Sequence, residues 1–289
     1  MVQNAREQVL LGRVLVALSA LAWSAAGGFT KGVEADVWTV LLWRGLLAGA
    51  VMSAWLAWRR GRAWLEDWKC LGWPGWSAAT VSSAATVCFI AAFKNTAVAN
   101  VAIVYATAPF AAAAIAWIWM RETPGLVTLV SAGLCLSGVA VMVGGSTGTP
   151  DLVGDLLALG MTALMASMMV IMRRYPNRPM ILAAGPVSCF QLVAIAWIMG
   201  AQFDVTARDL VLLASFGTVH AAATVLLAEG VLRIRAAEAA LIGALEVPLA
   251  PLWSWLILFE IPRVPTVLGG AVVLATLAWY LGRETRVKA

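Results

Sequence analysis

Residues 98–122 read VANVAIVYATAPFAAAAIAWIWMRE, and residues 237–260 read AEAALIGALEVPLAPLWSWLILFE. Each is an alanine-rich apolar run with a proline near its centre, Pro109 or Pro248, and a glutamate at its end, Glu122 or Glu260. The interval from proline to glutamate is nearly the same in both. A helix rises about 1.5 Å per residue, so a run of this length crosses the roughly 30 Å hydrocarbon core of a bilayer. The two stretches read as matching membrane helices from two related halves of one chain.

Composition agrees. Of 289 residues, 62% are hydrophobic and 12% charged, and the mean hydropathy is +0.87. Soluble domains average roughly 45–50% apolar and about 25% charged, so the solvent for this chain is lipid. The net charge of +5 sits in short loops, where it reads as topology bias and not as nucleic-acid affinity. Cys70, Cys88, Cys135 and Cys189 form no C-x-x-C pair, and three lie in apolar runs, which points to buried thiols.

Ten apolar runs follow along the chain, at 10–30, 38–58, 73–93, 98–119, 124–144, 152–172, 180–201, 210–230, 237–258 and 264–282. Each is expected to span a bilayer. The connections are too short for a soluble domain. The first run is too long for a signal peptide and is taken as the first crossing.

Basic residues set the orientation. With a cytoplasmic N-terminus, fifteen of the twenty lysines and arginines fall on inner segments: Arg6, Arg13, Arg59, Arg60, Arg62, Lys69, Arg121, Arg173, Arg174, Arg178, Arg233, Arg235, Arg283, Arg286 and Lys288. Only Lys31, Lys94, Arg208 and Arg263 fall outside, and Arg44 lies within a helix. This is the positive-inside pattern, and it places both termini in the cytoplasm. Asp151, Asp155, Asp204 and Asp209 fall outside. Tryptophans near run ends, such as Trp38, Trp58, Trp117 and Trp279, make an aromatic belt. The segment 59–76, with Trp64, Trp68, Trp73 and Trp76 among charges, is expected to lie along the inner surface.

The second of the two opening stretches comes five crossings after the first. An odd step turns it over, so residues 1–146 and 147–289 are expected to be two inverted five-helix repeats. That architecture recurs in transporters, with substrate held near the midplane between the repeats. Trp23-Ser24 with Lys31, Arg44, and Ala108-Pro109 followed by Arg121-Glu122 also resemble the first repeat of the drug/metabolite transporter superfamily, EamA type. Glu246-Val247-Pro248, Glu260 and Gly269-Gly270 resemble its second repeat. Phe259 departs from the pattern, standing where the first repeat has Arg121. The resemblance implies a ten-helix exporter of amino acids, metabolites or drugs in the cell inner membrane, with an amino-acid-exporter branch nearest.

Several residues are candidates for substrate binding or coupling. Glu246 is an acid near the middle of the ninth run, and a charge there costs about 2.5–3.5 kcal/mol on insertion scales. It reads as a proton site or a ligand for a substrate ammonium, or else as a carboxylate paired to a base or to freed backbone. Arg44 lies about 9 Å inside the second run by helix rise. It either holds a substrate carboxylate or, as favoured here, snorkels or pairs with a structural acid. His220, the single histidine, is either a proton relay or a packing residue. Glu229 is expected to pair with Arg233 and Arg235. Tyr105, Trp23, Ser24, Ser83 and Thr107 supply cavity polarity and aromatic surface, or bond between helices. Pro109 and Pro248 crowd the carbonyls of Tyr105 and Ala244, and Pro251 is expected to add a break toward Val247. Such breaks line a pathway or are packing kinks. Gly185-Pro186 is a candidate gate hinge. The small-residue patches Gly27-Gly28, Gly45 with Gly49, 221–223 and Gly269-Gly270 read as close helix contacts.

No phosphate-cradling loop, metal-spaced histidines or nucleophile elbow is present in the sequence, so no enzyme, cofactor or metal is expected. The sequence reading is an all-α secondary carrier for small metabolites, amino acids with aromatic or other apolar side chains first. Drugs, nucleobases or sugars on the same fold are the alternative; a membrane enzyme or a channel is the more distant one. The expected partners are a small-molecule substrate, lipid and, as coupling ion, the proton. The expected state is a monomer or weak homodimer.

Overall fold

A computed structural model describes residues 2–121, 123–145, 151–234, 239, 242–243, 245–259 and 261–287, with side chains from 6 to 280. Glu122, Glu260, Arg235 and Ala244 lie outside the described residues. All regular structure among the described residues is helical.

The helices are α1 (Val2–Ser24), α2 (Ala26–Gly32), α3 (Val37–Arg60), α4 (Ala63–Cys70), α5 (Gly72–Asn95), α6 (Val98–Tyr105) and α7 (Ala108–Met120). They continue with α8 (Leu126–Gly144), α9 (Asp151–Arg174), α10 (Met180–Leu182), a π turn over Ala183–Val187, α11 (Ser188–Ile198), α12 (Ala207–Val231), α13 (Glu246–Leu258) and α14 (Val264–Val287). Among the described residues, eight of the expected ten runs are long and apolar enough to cross a membrane. The other two are shorter apolar helices, Glu246–Leu258 and Val264–Tyr280.

Large apolar side chains stand on the outside, among them Trp58, Trp197, Ile198, Ile118 and Leu126. Water does not tolerate so broad an apolar surface, whereas a bilayer solvates it. The short helix α4 buries none of its residues, as expected for a surface segment. Trp64 and Trp68 meet edge to face on it, and Arg60 closes an ion pair with Asp67 at 3.1 Å.

The two ends of the bundle differ in charge. At one, Glu229 pairs with both Arg59 and Arg233, Arg233 Nε donates to Gln8 Oε1 at 3.3 Å, and Arg178 Nη1 donates to the Cys70 carbonyl at 2.9 Å. The expected Glu229–Arg233 pair is therefore present. At the other end, Asp151 pairs with Arg263 at 2.9 Å, Asp209 Oδ1 accepts from the Glu34 amide, and Asp36 caps α3. We refer to these as the arginine-rich and carboxylate-rich ends.

Packing is largely between the first and second halves of the chain. α1 and α3 pack on α12, α3 on α11, α5 on α9, α6 and α7 on α9, α13 on α6 and α1, and α8 on α14. Small residues allow the closest of these approaches. A Cβ at Gly138 would meet the Gly269 carbonyl oxygen at 2.7 Å, and one at Gly45 would meet the Cys189 carbonyl oxygen at 2.8 Å. Backbones in contact at this distance exploit dispersion, the attraction that remains where lipid removes the hydrophobic drive.

α7 and α13 are alike in detail. Each has 13 residues, begins at a break beside a proline, and ends on a left-handed residue: Arg121 at φ 56°, ψ 27° and Phe259 at φ 53°, ψ 29°. These are the two non-glycine residues with positive φ among the described residues. The helix end therefore keeps its conformation although Phe replaces Arg. A left-handed non-glycine residue costs about 1 kcal/mol, and Phe259, 83% exposed, has little packing to lose. Phe259→Gly is expected to raise the thermal unfolding midpoint in detergent, and β-branched Phe259→Val to lower it. A fall with glycine would contradict this reading of the helix end.

Candidate functional site

Three of the apolar runs break near the middle of the bundle. The first turns at Ala25, between α1 and α2; the fourth turns at Ala106-Thr107, ahead of Pro109; the ninth begins α13 at Glu246, just ahead of Pro248. Proline removes the amide that would bond four residues back and crowds the carbonyl there, so the helix gives way on its N-terminal side. At Pro109 the chain turns, and Phe110 N and Ala111 N both donate to Thr107 O, at 3.0 and 3.1 Å. Pro251 behaves otherwise: α13 runs through it without interruption. The break expected toward Val247 is absent, because Pro248 has already displaced the chain start and Pro251 falls within a single short helix.

Around these breaks lies a cavity of about 340 Å³. It falls in the usual size range for small-molecule sites, roughly 300–1,000 Å³. Its wall takes Trp23 and Ser19 from α1, Tyr105 and Pro109 from the fourth crossing, and Glu246 from α13. Leu227 and Val231, at the end of α12, carry it toward the arginine-rich end. Glu246 is the charged residue on an otherwise mostly apolar wall. It has no ion pair among the described residues and lines both this cavity and the narrower space beside it. A narrow space of about 20 Å³ continues past Glu246 and Tyr105 toward Ser24, Phe93 and Ala102. There Ser24 Oγ donates to the Leu21 carbonyl at 2.7 Å and accepts from Trp253 Nε1 at 3.0 Å.

Arg44 and His220 form a separate unit beside this wall. Arg44 is 6% exposed, so it does not snorkel, and no acid pairs with it among the described residues. That corrects the expectation for this residue. Its Nη2 lies 3.1 and 3.2 Å from the two ring nitrogens of His220, and its Cζ sits 5.2 Å above the Phe216 ring. A guanidinium has no lone pair to offer, so His220 accepts the bond through an unprotonated nitrogen. The His220 ring in turn meets Trp23, with centroids 6.4 Å apart. The single histidine thus links a buried cation to an aromatic that lines the cavity.

The remaining candidates lie elsewhere. Thr107 bonds the Val104 carbonyl at 2.7 Å and closes the turn before Pro109. Ser83 Oγ lies 2.9 Å from the Ala79 carbonyl and 3.0 Å from both the Ser188 carbonyl and Gln191 Oε1. It therefore ties α5 to α11, just beyond the break at Gly185, whose φ −94° and ψ −105° leave the helical region ahead of Pro186. Ser19 was not among the sequence candidates. It is 1% exposed, its hydroxyl has no partner among the described residues, and it lines the cavity. A lone serine in an apolar run carries no signal that separates such a group from a packed one.

The Arg44–His220 unit makes a direct prediction. His220→Ala leaves a buried guanidinium without its acceptor, a loss of about 1.5–3 kcal/mol for a bond to a charged group. His220→Gln restores an acceptor. In thermal unfolding in detergent, the alanine variant is expected to unfold markedly earlier and the glutamine variant to recover most of the difference. Equal midpoints for the two would contradict the pairing.

Residues 10–144 match the model of the EamA-like transporter family. No curated protein matches the chain. Among solved structures, one crystal structure of a protein aligns over 96% of this chain and 99% of its own, with a TM-score of 0.62 and 18% identity. At that identity the likeness establishes a shared fold across nearly the whole length, the second half included.

Proposed function

We propose that this chain, whose residues 10–144 belong to the EamA-like transporter family, is a ten-helix secondary carrier. In this reading it exports small amine-bearing metabolites, amino acids with aromatic or other apolar side chains first, from the cytoplasm across the cell inner membrane. It works by alternating access around the cavity at the helix breaks. The arginine-rich end is then cytoplasmic, in keeping with the positive-inside rule.

The observation that carries the substrate class is the cavity wall. Glu246, with no ion pair among the described residues, offers a carboxylate to an ammonium group. Trp23 and Tyr105 offer aromatic faces to an apolar side chain or to the cation itself. Desolvating a carboxylate without a partner is expensive, and a ligand ammonium relieves that expense. The same chemistry favours cationic drugs as the second reading, because the wall presents an acid and few other polar groups. Sugars and nucleobases would want more neutral donors and acceptors than the wall supplies.

Support for two inverted repeats, 1–146 and 147–289, comes from the packing order. Number the crossings one to ten and exchange each with the one five places on. The most extensive contacts between the halves then map onto one another: three with six becomes eight with one, two with eight becomes seven with three, and five with ten and four with nine are unchanged. The matched helices α7 and α13, with their two left-handed ends, fit the same exchange. Rocking of one group of helices against the other, about a site held in common, is the movement this arrangement favours.

Counterflow of tritiated phenylalanine in proteoliposomes, with and without a pH gradient, tests carrier, substrate and coupling together. Saturable counterflow is expected. Glu246→Gln is expected to weaken it about tenfold or more, the value of a charge-assisted hydrogen bond expressed as affinity. If the gradient dependence alone disappears in that variant, Glu246 carries the proton and not the ammonium. Unchanged counterflow and unchanged gradient dependence would remove Glu246 from both roles.

A further inference from the structure

A second polar cluster sits at the carboxylate-rich end, away from the central cavity. Asp155, on the second turn of α9, is fully buried. Its Oδ1 accepts from Thr96 Oγ1 at 2.8 Å and from Asn100 Nδ2 at 2.9 Å. Asn100 Oδ1 accepts in turn from Thr266 Oγ1 at 2.7 Å. Thr96 lies in the corner between α5 and α6, Asn100 in α6, and Thr266 in the first turn of α14. One carboxylate thereby joins α9 to the head of the fourth crossing and, through Asn100, to α14.

The approach there is close. A Cβ added at Gly154 would meet Thr96 Cβ at 2.6 Å and the Asn95 carbonyl carbon at 2.7 Å. Yet the cluster is not fully satisfied: Asp155 Oδ2 is buried and has no hydrogen-bond partner among the described residues. Leaving a buried carboxylate oxygen unmatched sacrifices stability that an apolar contact of the same shape would keep. A cluster held one bond short of completion is easier to part than a saturated one.

The surroundings give the cluster a position on a route. Outside it is a polar cavity of about 300 Å³, with Lys31, Lys94, Asp151 and Arg263 on its walls and Thr96, Asn100 and Thr266 on its floor. Inside it is the narrow space of about 20 Å³ beside Ala102, Tyr105 and Glu246. The central cavity lies beyond that, extending toward the arginine-rich end. Both residues that bond Asp155, Thr96 and Asn100, and Thr266 behind Asn100, therefore also floor the outer cavity.

We infer that Asp155, Thr96, Asn100 and Thr266 form the gate that closes the carboxylate-rich end, and that the polar cavity above them is the vestibule on the far side of the gate. The inference rests on the carrier reading above. Parting of Thr266 from Asn100 and of Asp155 from Thr96 and Asn100 lets α14 and α9 separate from the fourth crossing. The narrow space beside Ala102 then joins the vestibule. A substrate leaving by this route exchanges the apolar wall of the central cavity for the charged and amide groups of the vestibule, where its polar end is rehydrated.

The test places a reporter cysteine at Ala102, 7% exposed, in a chain whose four native cysteines are replaced. A membrane-impermeant maleimide is applied to sealed vesicles with the carboxylate-rich end outward. Thr266→Val is expected to raise the labelling rate about tenfold, the effect of one lost buried hydrogen bond on a two-state equilibrium, and Asp155→Ala, which loses two, at least as much. Thr96→Ser, which keeps the hydroxyl, is expected to label like the parent. Thr266→Val is nearly isosteric, so the test survives if Asp155→Ala does not fold. Unchanged labelling in Thr266→Val, in a parent that exchanges tritiated phenylalanine, would overturn the gate and leave the carrier standing. Raised labelling in a parent that exchanges no phenylalanine would support the gate and count against the substrate reading.

Discussion

A backbone group inside a bilayer must find a partner, because lipid offers none. Every interruption of a helix at membrane depth therefore has to be answered by a turn, a neighbouring helix or a wet cavity. In this chain the interruptions at Ala106-Thr107 and ahead of Glu246 face the same cavity. Their placement draws Tyr105 and Glu246 onto one wall, and α13 packs directly on α6. The cavity exists because the helices give way there, and its chemistry comes from the residues next to the breaks.

Polar side chains are spent sparingly elsewhere, and their positions are correlated. Arg44 is held by an imidazole and an aromatic face, while Glu246 is left open to the cavity. His220 and Trp23 stand in between. A buried cation already held by its own partners, beside an acid that lines the cavity, favours a ligand that brings a positive charge. At the carboxylate-rich end the logic differs: Asp155 accepts from Thr96 and Asn100, and Asn100 in turn from Thr266 on α14, which makes it a joint and not a receptor. Gly185 and Pro186 add a further break in the seventh run, tied back to α5 through Ser83.

Much of this was legible in the sequence, for physical reasons. Hydropathy over about 20 residues reports membrane spans well, and proline reports where a helix fails; Pro109, Pro248 and Gly185-Pro186 all mark breaks. Glu246 announces itself because an acid among alanines and leucines has no inexpensive explanation. Glu229 with Arg233 is a local i, i+4 pair, which spacing alone reveals. The segregation of basic residues appears directly as one arginine-rich end.

What the sequence concealed were partnerships across long separations. Arg44 and His220 are 176 residues apart, and Asp155 is 55 residues from Asn100, itself 166 from Thr266. In a membrane protein both the lipid face and the interior are apolar, so periodicity does not tell which side a helix turns inward. That is why Arg44 reads from sequence as a snorkelling residue and Ser19 as filler. Pro251 misleads for another reason: a proline breaks a helix only if the helix has turns on both sides to break, and α13 has barely one turn before it.

The central claim is that the two broken helices act as one site. A double-mutant cycle on phenylalanine binding to the purified protein, with Tyr105→Phe, Glu246→Gln and the pair, tests it most directly. Residues that share a ligand and a cavity are expected to couple by about 0.5–3 kcal/mol. Coupling in that range is the predicted result; strict additivity, with each substitution indifferent to the other, would contradict the account.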